Sequence, residues 1–278
     1  MKILVIQENG RHEKNRNYRE CFSLQRAFRK NGHLCDIWGL NHNSFNIKPD
    51  FNSYDIIFDL ENYDTGWIPD LSTVKSYKII WEIDAHVRGI NYYLNRFNKN
   101  KCQLMLHSTR DYVKTERDLW FPNCLDDELV FPLNIPKRAD IGFCGNICNR
   151  QLYLDELKRN FNFISDIFVI GDYMVKSINS YRIHFNKNIS NDINYRNFET
   201  IGCKIPLITN KNEQYKDLGF KENENCVFYD DIHDLIDKVK YMISNEEFRN
   251  KIAQNGYELS RKHTYKKRIC DLLNQIKI

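Results

Sequence analysis

Short apolar runs alternate with amphipathic stretches along most of the chain. Residues 3–6 form a run of strand length. Residues 18–30 then place Cys21, Leu24, Ala27 and Phe28 at a helical period, with Gly32 as the stop. Runs at 34–38, 55–60, 78–83 and 103–107 predict further strands, separated by helix-length or loop segments. Over 121–138 neither period survives, and Pro122, Pro132 and Pro136 mark an interdomain linker. Beyond it the alternation resumes. Strands are predicted at 140–144, 166–170, 182–185, 205–208 and 226–229, and helices near 151–159, 192–201 and 232–244. Two closing helices are predicted at about 246–262 and 265–278. Strands alternating with helices predict an α/β protein built on parallel, doubly wound sheets, divided into domains at 1–133 and 134–278.

Composition narrows the class without choosing a partner. At 278 residues the chain can bury two cores, and 42% apolar with 13% aromatic content is ordinary for a globular protein. A net charge of +4 is too small to mark a dedicated polyanion binder. Nine cysteines at irregular spacing predict reduced thiols rather than a disulfide framework. Cys144 and Cys148 lack a second pair of ligands, so no metal site is expected. No segment approaches the roughly 18 apolar residues of a membrane span, and a soluble cytoplasmic protein is the expectation. Abundant Asn, Lys and Ile suggest a low-GC genome, bacterial or phage.

Ligands of open parallel sheets bind beyond the carboxyl ends of the strands, so the residues that follow each run are the first candidates. Asn9, Gly10, Arg11 and His12 follow the first strand closely, and Asp84 and His86 flank Ala85 after the run at 78–83. Gly145 and Asn146 follow the run at 140–144, with Arg150 nearby. Gly171 follows Ile170, Asn188 lies beyond the strand at 182–185, and Thr209 follows Ile208. A glycine at a strand-to-helix turn lets backbone N–H groups approach a phosphate, to which Arg150 adds a full charge. Gly142-Phe143-Cys144-Gly145 lacks the third glycine and the spacing of a dinucleotide fingerprint, and no Walker motif occurs. A carboxylate or imidazole at Asp84 or His86 could take a proton from a hydroxyl, although both residue types also cap helices. His107, His184 and His263 stand alone and read as core or cap residues. No aromatic pair with flanking Lys or Arg forms a nucleic-acid platform.

The densest chemistry lies in residues 191–209. Asp192, Arg196 and Glu199 fall at helical spacing on one side, with Phe198 and Ile201 turned to a core and Gly202 ending the helix. An acid and a base one turn apart suit a ligand with both hydroxyls and phosphates, such as a nucleotide sugar. The same two residues also make an ordinary i, i+3 surface ion pair.

The series Asp140-Ile-Gly-Phe-Cys-Gly-Asn146 with Arg150, then Gly171, Asn191-Asp192, Asn194-Tyr195-Arg196-Asn197-Phe198-Glu199, Gly202, Pro206, Asn255-Gly256-Tyr257 and His263-Thr264-Tyr265 with Arg268 resembles the C-terminal half of GT-B glycosyltransferases. The resemblance is nearest to members similar to the spore maturation protein CgeB and covers about residues 137–275. It implies two Rossmann-like domains facing each other across a cleft, with the last helix packing back on the first domain. The second domain would hold a nucleotide-sugar donor, expected to be UDP-linked, with no metal or other cofactor. The first would hold the acceptor.

By the same resemblance Glu199 meets the ribose, while Gly145, Arg150 and Arg196 meet the diphosphate. Asn146, Gly171, Asn188, Asp192 and Thr209 complete the expected donor side; Asn9, Gly10, Arg11 and His12 form the acceptor side; and Asp84, His86 and Arg196 are the candidate catalytic residues. Many retaining members carry a second glutamate eight residues before the first, where this chain has Asn191. The acceptor is left open among surface glycan, protein, small metabolite and, for a viral gene, hydroxymethylated DNA. A nucleotide-sugar epimerase and a non-catalytic nucleotide- or DNA-binding module are the competing readings.

Overall fold

A computed structural model describes residues 1–10 and 13–276. In the first unit the strands are β1 (Lys2–Ile6), β2 (Leu34–Trp38), β3 (Ile56–Asp59), β4 (Tyr77–Glu82), β5 (Leu104–His107) and β6 (Asp118–Trp120). All pair in parallel, in the order β2-β1-β3-β4-β5-β6. Ile3 to Ile6 are fully buried, as expected of a strand covered on both faces. The helices of this unit include α1 (Glu20–Lys30), the single turn α2 (Ala85–Arg88) and α3 (Ile90–Lys99). The buried side of α1 is formed by Cys21, Ser23, Leu24, Ala27 and Phe28, and Gly32 follows it at φ +82°.

The second unit carries β7 (Ala139–Gly145), α4 (Gln151–Asn160), β8 (Phe163–Ile167), α5 (Asp172–Asn179), β9 (Tyr181–Phe185), α6 (Tyr195–Gly202), β10 (Leu207–Asn210), β11 (Val227–Tyr229), α7 (Ile232–Ser244) and α8 (Glu246–Ser260). Its parallel strands lie in the order β11-β10-β9-β7-β8. Its core joins Ile141, Phe143, Ile183, Phe185, Ile208 and Val227 of the sheet to Leu235, Val239, Met242 and Ile252 of α7 and α8. Contacts group residues 123–264 as this unit, and the closing helix α9 (Tyr265–Gln275) with residues 1–122. Two hydrogen bonds hold the start of the second unit, from Asn123 Nδ2 to the Ile193 carbonyl and from the Leu125 N–H to the His263 carbonyl. No helix of the described residues is long and apolar enough to cross a membrane.

Several expected elements shift. α6 begins at Tyr195, because the Asn194 side chain accepts the Arg196 N–H and caps the helix there, so Asp192 lies outside it. Gly202 is the last helical residue rather than the stop. The left-handed position falls to Lys204 at φ +58°, and Gly202 is small because a Cβ there would lie 2.5 Å from Leu125 Cδ1. Pro206, which has no N–H for a ladder, precedes β10 and moves that strand two residues along. β8 starts three residues before the predicted run at 166–170. The helices α3 and α5 and the three-residue strand β6 were not among the predicted elements, although α3 places Ile90, Tyr93, Leu94 and Phe97 at a helical period.

Gly142 sits in β7 beneath the buried Tyr181 ring, whose nearest atoms would lie 2.3 Å from an added Cβ. Gly142→Ala is therefore expected to destabilise the protein by about 1–3 kcal/mol through overpacking. Urea denaturation checks this, and a wild-type midpoint would contradict it.

Candidate functional site

The strand order of the second unit reverses between β7 and β9, which makes their carboxyl ends the switch point where ligands of such sheets bind. A closed circuit of hydrogen bonds ties this edge to α6. The Cys144 N–H donates to His184 Nε2 at 3.2 Å, which leaves Nδ1–H to donate to Thr200 Oγ1. The Thr200 hydroxyl donates to the Arg196 carbonyl, and Arg196 Nε donates back to the Cys144 carbonyl at 2.8 Å. His184 is fully buried; burial, helped by the nearby Arg196 charge, pushes its pKa down to about 3, so the ring is neutral.

Arg196 and Glu199 form the ion pair that their spacing allows, but not on the surface: their side chains are 21% and 13% exposed. Burial opposes the Arg196 charge, and Glu199 outweighs it, so the pKa of the guanidinium stands above its ordinary value. The same guanidinium touches Met174 Sδ in the first turn of α5. Thus α5, α6 and the end of β7 meet at one place.

Arg150 is 5% exposed. Its Nε donates to the Lys187 carbonyl and its Nη1 to the Asn146 carbonyl, each at 2.8 Å, so one guanidinium clasps the chain beyond β9 and beyond β7. Among the described residues no carboxylate forms an ion pair with it, and burial pulls its pKa below the ordinary value. Asp192 acts on it from a distance and offsets that charge only in part, so a desolvated cation without an ion pair stands at the switch point, a place for an anion.

Other predicted donor residues play internal parts. The Asn188 side chain donates to Tyr215 Oη at 2.9 Å and accepts from Asn197 Nδ2 at 2.9 Å, while the fully buried Thr209 hydroxyl pairs with Tyr215 Oη. With Asn186 and Asn194 these residues make a buried amide cluster under the start of α6. Asp192 accepts from the Ser190 hydroxyl and is 4% exposed. Gly171, at φ +63°, forms the N-cap of α5.

In the first unit the switch point lies between β1 and β3. Asn9 Oδ1 accepts the Gly10 N–H, and both residues are buried. Arg11 and His12 lie outside the described residues. Asp84 is the N-cap residue of α2, and His86 is in its turn. Glu61, which sequence reasoning passed over, organises this segment: it accepts the Asp84 N–H at 3.0 Å, Arg88 Nε at 2.9 Å and the Tyr93 hydroxyl at 2.5 Å. The signal was its position directly after the run at 55–60. Glu82 was also missed. It is fully buried between the Ala85 N–H and His107, and burial raises its pKa. His107, His184 and His263 are core residues. Among the described residues no group of three His, Cys, Asp or Glu is placed to hold a metal ion.

Residues 150–274 match a family model described as glycosyl transferase-like. The whole chain is similar to solved structures at low identity. Sucrose-phosphate synthase from Thermosynechococcus elongatus aligns at 10% identity and TM-score 0.70, with 99% of each chain covered. HepE of Anabaena in complex with UDP aligns at 9% identity and TM-score 0.67, over 99% of this chain and 100% of that one. An alpha-glucosyltransferase in complex with UDP and a 13-mer DNA aligns at 10% identity and TM-score 0.71, with 99% of each covered. No curated protein sequence matches the chain.

The neutral state of His184 has a consequence for stability. Its folded pKa, about 3, lies below the ordinary 6.5, so the unfolded chain takes up the proton first. Stability contributed by the neutral ring is present above pH 6.5 and lost as pH falls from there toward 3. By pH 4.5 the expected loss from this residue is about 2–3 kcal/mol. His184→Gln should start less stable and lose less on acidification. Equal losses in urea titrations at pH 7 and pH 4.5 would exclude this role.

Proposed function

We propose that this chain, an enzyme of the GT-B fold with a glycosyl transferase-like second unit, moves a sugar from a nucleotide-sugar donor, UDP-linked in the simplest case, to a hydroxyl-bearing acceptor. The observation that carries the reading is Arg150, a buried cation without a carboxylate partner among the described residues, set at the strand ends next to the Arg196–Glu199 pair. Transfer breaks the bond between the anomeric carbon and the diphosphate oxygen and joins that carbon to the acceptor oxygen, whose proton leaves. The departing diphosphate gains negative charge. Arg150 and Arg196 would meet that charge without a divalent metal, and Glu199 would accept from the ribose hydroxyls.

Asp84 and His86, on the α2 turn held by Glu61, are proposed for the acceptor side, where either could take the hydroxyl proton. The motif series favours a CgeB-like member. The UDP and DNA bound to the similar alpha-glucosyltransferase keep hydroxymethylated DNA beside glycans, proteins and metabolites as an acceptor. All nine cysteines are free thiols, which suits a reducing cytoplasmic setting.

Calorimetry should show UDP binding that excess EDTA leaves unchanged, and Glu199→Ala should weaken it by about 1–3 kcal/mol. Because that variant strands a buried arginine, Glu199→Gln is the check on folding. A folded Gln variant with wild-type affinity would remove Glu199 from the donor site, and loss of binding in EDTA would overturn the metal-free mechanism.

For the acceptor side, Asp84→Asn or His86→Ala should cut transfer by roughly 100-fold to 10,000-fold if that residue is the base, with donor affinity intact. Wild-type turnover in both would leave them no catalytic part.

A further inference from the structure

Phe168 follows β8 and breaks two rules at once. Its backbone is left-handed at φ +55°, a conformation that glycine or asparagine adopts cheaply and a bulky side chain does not. Its ring is 74% exposed, so the fold gains little apolar burial in return. Strained, exposed apolar residues of this kind collect at ligand sites, where the return comes from binding.

The position is well defined. The Phe168 N–H donates to the Gly145 carbonyl at 3.3 Å, and the next carbonyl, of Val169, lies 3.8 Å from Cys144 Sγ. Three residues on, Gly171 caps α5, whose Met174 touches the Arg196 guanidinium paired with Glu199. The loop 168–171 thus runs from β8, past the end of β7 to which it is hydrogen-bonded, to the helix beside the ribose-binding candidate. A nucleotide with its ribose at Glu199 and its diphosphate at Arg150 has its base left to place, and an exposed ring on the adjoining loop offers a stacking face.

We infer that Phe168 is the platform on which the donor's nucleobase stacks, making it an affinity-determining residue of the donor site. The inference rests on the nucleotide-sugar reading given above. Stacking on an aromatic face tolerates any base, so Phe168 contributes affinity for the nucleoside part whatever the nucleotide is.

Calorimetric titrations of UDP and of inorganic pyrophosphate into wild type, Phe168→Gly, Phe168→Leu and Phe168→Trp test this, with a thermal melt of each. UDP affinity should fall about 10-fold or more in the Gly and Leu variants and be retained in Trp. Pyrophosphate affinity should stay constant across the set. The Gly variant should melt at or above wild type, because the left-handed strain is relieved.

Unchanged UDP affinity in Gly and Leu would overturn the inference, as would parallel loss of UDP and pyrophosphate or a lowered melting point in Gly. Wild type failing to bind UDP, ADP, GDP, CDP and TDP would instead defeat the nucleotide-sugar reading, and this inference with it.

Discussion

The second unit depends on a neutral histidine. His184 stands on β9 and holds the backbone of β7 through Nε2 and the α6 side chain Thr200 through Nδ1, so one ring joins the two strands of the switch point to the helix that follows them. Only the neutral ring can accept on one nitrogen while donating on the other. Burial secures that state. Arg196 closes the circuit on the Cys144 carbonyl through Nε, which fixes the guanidinium in place. A guanidinium held this way needs little reorganisation when charge develops near it, the condition under which electrostatic stabilisation is most effective.

The first unit solves a similar problem with carboxylates. Glu61 and Glu82, at the ends of adjacent strands, accept the Asp84 and Ala85 N–H groups at the start of α2. A four-residue turn has too few internal hydrogen bonds to stand alone, so these external acceptors define its path. Glu61 also binds Arg88 and Tyr93, which couples the turn to α3. Asp84 and His86 thereby sit on a segment set by side chains rather than by helix propensity.

This difference explains what could be read in the sequence. Buried parallel strands announce themselves as apolar runs, so the order of strands and helices and the α/β class were legible. The amphipathic α1 was legible for the same reason. α3 carries the same kind of signal, with Ile90, Tyr93, Leu94 and Phe97 at i, i+3, i+4 and i+7, and was passed over although it was legible. The start of α6 was misplaced because Asn194, not Asp192, provides the cap, and short polar residues at 190–194 offer several equivalent choices. Arg196 and Glu199 were legible as a pair but not as a buried one, because burial is decided by β7 and α5, far away in sequence. The inward turning of Asn188 and Thr209 was likewise invisible: residues after a strand point to a ligand or to a neighbouring loop, and Tyr215 decides in favour of the loop here. Phe168 was read as part of the strand at 166–170, because its apolar side chain continues that run and the left-handed backbone angle leaves no mark in the sequence.

The Arg196–Glu199 ion pair and the proposed donor site are compatible in this geometry. Two buried arginines near one switch point repel each other, and that repulsion is among the influences that lower the Arg150 pKa. Glu199 neutralises one of the two, which lets Arg196 remain charged, buried and oriented through its contacts with Cys144 and Met174. Arg150 has two backbone carbonyls, which satisfy hydrogen bonds but not charge. Asp192 offsets part of the Arg150 charge without an ion pair and Lys187 adds a cation nearby, so the described residues around this edge stay positive on balance. A diphosphate bound as proposed would offset that imbalance, and a charge removed from water is screened less by salt than one on the surface.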